Sequence, residues 1–250
     1  MRKISFSYKV YIGLVLLLSC LAALNIFLPQ GDFLPPDVEQ SMPASQPIMA
    51  LANAGIMLIL YGGLGWIGLV LGHKVGFPDV MDSTVSAKQR FLIPALAGIG
   101  VGLFFIGSDL ILRNFHSLGP LPHPPFPTSL VASTIAGIGE ELIFRLFFVS
   151  FWFWLIYKII LKQKWETTVF WMIVFLSAIA FSAGHLPSAM ILLGADNPTD
   201  LPVPILIEIF LLNGTLSILA AYYLRKYGYL AAVGIHFWTD IIWHVIWGLF

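Results

Sequence analysis

The sequence predicts an all-α fold, a polytopic transmembrane helical bundle of seven or eight spans. Three observations predict it. Hydrophobic residues make up 58% of the 250-residue chain and charged residues only 10%, with a mean hydropathy of +0.88. A soluble domain of that composition could not cover its surface with polar groups. The apolar residues also fall into windows of the ~20 residues that a helix needs to cross a bilayer. Finally, the alternating strands of a membrane barrel are absent, so backbone groups in lipid must be satisfied within helices.

The windows lie near 10–28, 48–72, 91–112, 129–157, 167–186, 204–224 and 229–250. The first follows Arg2 and Lys3, and Leu17, Leu18, Ser19 and Cys20 loosely resemble a lipoprotein cleavage site. The apolar run continues through Leu21, Ala22, Ala23 and Leu24, where a cleaved signal should turn polar, so this window reads as an uncleaved span. Residues 30–46 are rich in Pro, Ser and acids and read as an exposed connector. Residues 119–128 carry a proline density that excludes helix and favours an extended stiff linker, with a rigid rim at a site mouth as the alternative. The fourth window is long enough for one tilted helix or a broken one, and Leu186–Leu193 could add a re-entrant turn. Residues 1–128 are expected to form N-terminal transmembrane helices and loops, and 129–250 the functional core.

Charge placement orients the chain. Arg2, Lys3, Lys9, Lys74, Lys88, Arg90, Lys158, Lys162, Lys164, Arg225 and Lys226 lie on alternate sides of the windows from Asp32, Asp37, Glu39, Asp196 and Asp200. The positive-inside rule predicts an integral, multi-pass membrane protein with a cytoplasmic N-terminus. Formal net charge is zero and no basic run points to nucleic acid, leaving the lipid bilayer as the certain partner. With Cys20 as the lone cysteine, an intrachain disulfide is impossible and a cysteine-based zinc site is strongly disfavoured.

Three polar motifs interrupt the apolar spans: Glu140-Glu141-Leu142-Ile143-Phe144-Arg145, Phe181-Ser182-Ala183-Gly184-His185 and His236-Phe237-Trp238-Thr239-Asp240. Ionisable groups are expensive in hydrocarbon, so they mark a functional site by default. Glu141 and Arg145, four apart on a helix, can form an ion pair; Glu140 points about 100° away and stays free to take a proton from water. His185 sits between Gly184 and Pro187, where a helix should stop, with Phe181 packed beside it. Asp240 can accept a hydrogen bond from His236 and set its tautomer. His244 continues that line, but Trp243 and Trp247 beside it suggest an interfacial belt outside the site. Asp109 and Glu208 read as structural, Glu208 reaching the interface from its helix start. Depths disagree on paper. Glu140 is roughly 20–25 Å from an inner edge at 154–157, and His236 roughly 10–14 Å from one at 227–229.

The order EExxxR, FxxxH and HxxxD on successive late spans resembles the CPBP (Abi) intramembrane protease family, related to type II CAAX prenyl endopeptidases, over about residues 130–245. The resemblance implies that Glu140 and His185 activate water, that His236 and Asp240 stabilise the oxyanion or position groups, and that Glu141 and Arg145 shape the site. It also brings a zinc alternative, with Glu140, His185 and His236 as ligands. No HExxH is present, and a metal-free glutamate mechanism fits the residues equally well. Leu146 stands where glycine is common, and Asp240 where many members carry asparagine, which puts pressure on an oxyanion role because a carboxylate cannot donate. The implied function is an intramembrane endopeptidase acting on a membrane-associated protein or peptide, prenylated or not. A non-catalytic adaptor or immunity-type protein on the same scaffold is the alternative, with a proton-relay transporter behind it.

Overall fold

The computed structural model describes residues 6–31, 43–117 and 119–250. Most of the expected connector at 30–46 lies outside them, as do Arg2, Lys3, Asp32, Asp37 and Glu39 of the charge argument. Among the described residues the chain is helical, without strands. Seven helices are long and apolar enough to cross a membrane: α1 (Phe6–Asn25), α2 (Gln46–Lys74), α3 (Lys88–Phe115), α4 (Thr128–Ile160), α5 (Glu166–Leu193), α6 (Val203–Tyr227) and α7 (Tyr229–Leu249). The protein is an integral, multi-pass membrane protein. The segment Leu186–Leu193 is not a re-entrant turn; it is a helix that resumes α5 after a break at His185.

One core unites helices from both halves of the chain. Leu18, Leu69, Leu142, Leu146, Phe153, Ile173, Leu224, Tyr229 and Ile235 are all buried in it. Large apolar side chains such as Leu51, Ile59, Leu96 and Ile111 point outward, as they should where the surrounding solvent is lipid.

Glycines let the backbones approach closely enough to place the polar motifs. A Cβ on Gly68 of α2 would collide with the Leu146 carbonyl of α4, and one on Gly98 of α3 with the Ile235 carbonyl of α7. On the next turn of α3, a Cβ on Gly102 would lie 2.5 Å from Ile242 Cβ. The Thr239 hydroxyl seals this seam, sharing its proton between Gly98 O at 3.2 Å and Ile235 O at 2.8 Å. Small residues at such seams gain close packing where no hydrophobic drive separates helix from lipid. Gly98→Leu is therefore expected to force α3 and α7 apart and destabilise the protein by about 1–3 kcal/mol or more. Gly100→Leu, where a Cβ meets nothing within 4 Å, is the control. Equal melting temperatures for the two purified variants would show that the seam does not hold α7 in place.

The depth disagreement disappears at the α6–α7 turn. Gly228 has φ +84°, a conformation favouring glycine, and its α-carbon faces the Pro78 and Asp79 carbonyls of the α2–α3 loop. Phe77 and Val80 of that loop are buried. Tyr229 is also buried, and its hydroxyl donates to Ile138 O at 2.8 Å. Gly228 and Tyr229 are thus covered by the α2–α3 loop rather than forming a bare outer edge, and Tyr229 at the start of α7 reaches Ile138 of α4.

Candidate active site

The three motifs converge on one point between α4, α5 and α7. α4 changes from α- to π-helical hydrogen bonding at Glu141, and α7 does so at Ile241, immediately after Asp240. Such π segments occur frequently at functional sites.

Glu141 and Arg145 form the expected ion pair, Arg145 Nε lying 3.1 Å from Glu141 Oε2, with both side chains at 0% exposure. The guanidinium lies over the Phe181 ring, 4.2 Å from its centre. Phe181 thereby acts as the spacer of the site: its ring also contacts Phe144, His185 and His236 edge-to-face at 5.1, 4.8 and 6.0 Å. A cation against an aromatic face is attracted by the ring quadrupole, an interaction strengthened by desolvation.

The expected role of Asp240 in setting the His236 tautomer is corrected. Glu141 Oε1 accepts from His236 Nδ1 at 2.8 Å, whereas Asp240 Oδ2 stands 3.5 Å from Nε2. Glu141 is the residue that spans two partners, one oxygen on Arg145 and the other on His236. The i,i+4 spacing of His236 and Asp240 puts both on one face, but the shorter bond crosses to α4 because the α4 backbone runs alongside. With Nδ1 donating to Glu141, His236 Nε2 faces Asp240 and Glu140 and can bond to either carboxylate only as a donor.

Glu140 projects away from the Glu141–Arg145 pair, as expected. Its Oε2 is 3.8 Å from His236 Nε2 and 4.0 Å from His185 Nε2. Among the described residues this oxygen has no hydrogen-bond partner. The side chains of Glu140 and His185 are 33% and 35% exposed, against 3% for His236, so they are the members that a molecule entering the site can reach. His185 sits at the break in α5 rather than at the end of the span. Its Nδ1 donates to Phe181 O at 2.8 Å, which leaves Nε2, in the neutral ring, as an acceptor facing Glu140.

Glu140, His185, His236 and Asp240 line a cavity of about 260 Å³. Its other walls are mainly apolar, including Phe105, Leu192, Leu193, Leu212 and Leu216. Leu121 and Pro122 close one side, so the proline-rich segment is a wall of the cavity and not only a linker. His244, which the sequence placed in an interfacial belt outside the site, lines the cavity as well. Its spacing from His236 and Asp240 was visible in the sequence, but Trp243 suggested an interfacial belt. Trp243 is in fact 5% exposed and packs edge-on against Phe105 and His123. His123, between α3 and α4, has its pKa lowered to about 4 by burial.

Asp109 and Glu208 stay outside the site. Glu208 does not reach an interface: it is 0% exposed, on the face of α6 that also buries Ile205, Ile209 and Leu212. The zinc alternative drew on Glu140, His185 and His236. The Nε2 atoms of the two histidines lie 4.0 and 3.8 Å from one Glu140 oxygen, and among the described residues no group of three or more His, Cys, Asp or Glu side chains is arranged to hold a metal ion.

A seven-helix membrane bundle that keeps a glutamate, an aspartate and three histidines around one cavity belongs to the class of polytopic membrane proteins with an intramembrane acid–histidine centre. Residues 122–242, just under half of the chain, match the sequence model of the Rce1-like family, described as type II CAAX prenyl endopeptidase Rce1-like. The matched stretch contains Glu140, Glu141, Arg145, His185, His236 and Asp240 and leaves out α1, α2, α3 and His244. No curated protein and no solved structure matched the chain.

Proposed function

We propose that this protein is an intramembrane endopeptidase that hydrolyses a peptide bond of a membrane-associated, prenylated protein or peptide with a glutamate-activated water. The observation that carries the reading is that Glu140, a third exposed, lines the cavity with its Oε2 4.0 Å from the acceptor nitrogen of His185. That separation is too long for a direct hydrogen bond, and a small swing of the part-exposed Glu140 side chain would admit a water bonded to both at roughly 2.8 Å. Such a water donates one hydrogen to Glu140 and the other to His185, which aims its lone pair into the cavity.

The reaction balances on these residues. Glu140 takes a proton as the water oxygen bonds to the peptide carbonyl carbon. The resulting oxyanion accepts from His236 Nε2–H, which Glu141 orients from the far side of the ring and Asp240 flanks. The C–N bond then breaks and Glu140 returns its proton to the leaving amine. General acid–base transfer of this kind contributes about 10²–10⁴-fold to a rate. Asp240 cannot itself donate to the oxyanion as an ionised carboxylate, and serves as a partner of His236. The apolar walls of the cavity suit an apolar substituent on the substrate, in keeping with the family description. The charge pattern supports a cytoplasmic N-terminus.

Terminal-peptide mass spectrometry tests the reading on membranes from cells expressing wild type or Glu140→Gln at matched levels. New protein ends that appear only with wild type are expected, and they would also identify the substrate. Identical profiles from two folded forms would favour a non-catalytic adaptor. Because no step needs a metal, cleavage by the purified protein is expected to withstand a strong chelator such as 1,10-phenanthroline. Loss of activity restored by added Zn²⁺ would overturn the metal-free mechanism.

A further inference from the structure

His244 lies beyond the stretch matched by the family and has no part in the water chemistry above, yet it faces the same cavity. Its Nδ1 is 3.0 Å from His123 Nδ1, a bond that joins the last helix to the proline-rich segment. His123 is itself held: its ring stacks edge-on against Trp243 at 4.6 Å, and a Cβ on Gly248 would come within 2.9 Å of its Cβ. His123 does not line the cavity. With Nδ1 of His244 committed to His123, Nε2 is the nitrogen left for a bound molecule.

We propose that His244 is a substrate-binding residue whose Nε2 forms a hydrogen bond to the backbone of the bound peptide, with His123 as the positioning residue that fixes its ring. The reading rests on the peptidase function proposed above. Peptide backbone suits this nitrogen in either tautomer. If His123 donates to Nδ1, Nε2–H meets a peptide carbonyl; if His123 accepts, bare Nε2 meets a peptide N–H. The residue sits one helical turn beyond Asp240, roughly 6 Å along the axis. An extended peptide rises roughly 3.3 Å per residue, so the contact falls about two residues from the bond that is cut. Leu121, Pro122 and Trp243 line the same cavity, whose other polar members beyond the acid–histidine centre are Ser188 and Asn213.

The test measures equilibrium binding of a fluorescent, farnesylated CAAX-type peptide to the full chain in lipid nanodiscs, with Glu140→Gln as the parent so that binding is read without turnover. Adding His244→Phe is expected to weaken binding about 5- to 150-fold, the range for leaving one buried hydrogen-bond partner unmet. His244→Gln keeps a donor and an acceptor and is expected to restore most of the affinity, which a purely structural role would not produce. His123→Phe should weaken binding less, and in the same direction. In the wild-type background the same His244 changes should raise KM more than they lower kcat. Equal binding by the parent and both His244 variants overturns this inference and leaves the peptidase reading intact. Failure of the peptide to bind any form overturns both, and unchanged cleavage by Glu140→Gln overturns the mechanism while the binding result still decides the role of His244.

Discussion

Purified Glu140→Gln is expected to lose peptide cleavage by about 10²–10⁴-fold while keeping its melting temperature and its affinity for substrate. The amide is nearly isosteric, so the cavity wall is preserved. It has no carboxylate to accept the water proton, and its NH₂ would face the acceptor nitrogen of His185, holding the ring without activating anything. Little stability is at stake, because Glu140 is one-third exposed and its Oε2 has no hydrogen-bond partner among the described residues. This separates it from its neighbour in sequence. Glu141→Gln should lose both activity and stability, since both oxygens of Glu141 are engaged at zero exposure. Cleavage by Glu140→Gln at the wild-type rate would remove the glutamate from the mechanism.

Arg145→Met is expected to be the most destabilising single change in the site, by about 3–5 kcal/mol. It would leave the Glu141 carboxylate at 0% exposure without its guanidinium and remove the cation from the face of Phe181, which spaces His185 from His236. The double variant Glu141→Leu, Arg145→Met should recover much of that stability, because replacing both members of a buried ion pair with apolar groups is often neutral or favourable. It should not recover cleavage, since His236 Nδ1 would then have lost its acceptor at 2.8 Å. Thermal melts in detergent and cleavage assays on the same preparations separate the two effects. A double variant no more stable than Arg145→Met would contradict the ion-pair argument.

Much of the site could be read along the chain because its parts are local. The Glu141–Arg145 pair, the freedom of Glu140 and the packing of Phe181 beside His185 all follow from helical spacing. The partner of His236 could not be read that way. Asp240 was the only acid on its own helix at the right spacing, and the closer acceptor, Glu141, lies on another helix. Glu208 illustrates the same limit: its place near a helix start suggested an interface, and only the packing of α6 shows that this face is buried.

Composition and hydropathy determined that this protein is a bundle of seven or eight membrane helices, because lipid leaves the backbone no other way to satisfy its hydrogen bonds. They also determined which residues bear charge inside it, because each such residue is costly unless it serves a purpose. Tertiary structure alone decided the depth at which these residues meet. The α2–α3 loop covers the turn at Gly228 where α7 starts, and α3 approaches α7 through Gly98 and Gly102. Helical periodicity sets the face on which a side chain lies. How far one helix is shifted along another depends on contacts between distant segments, which no local pattern encodes.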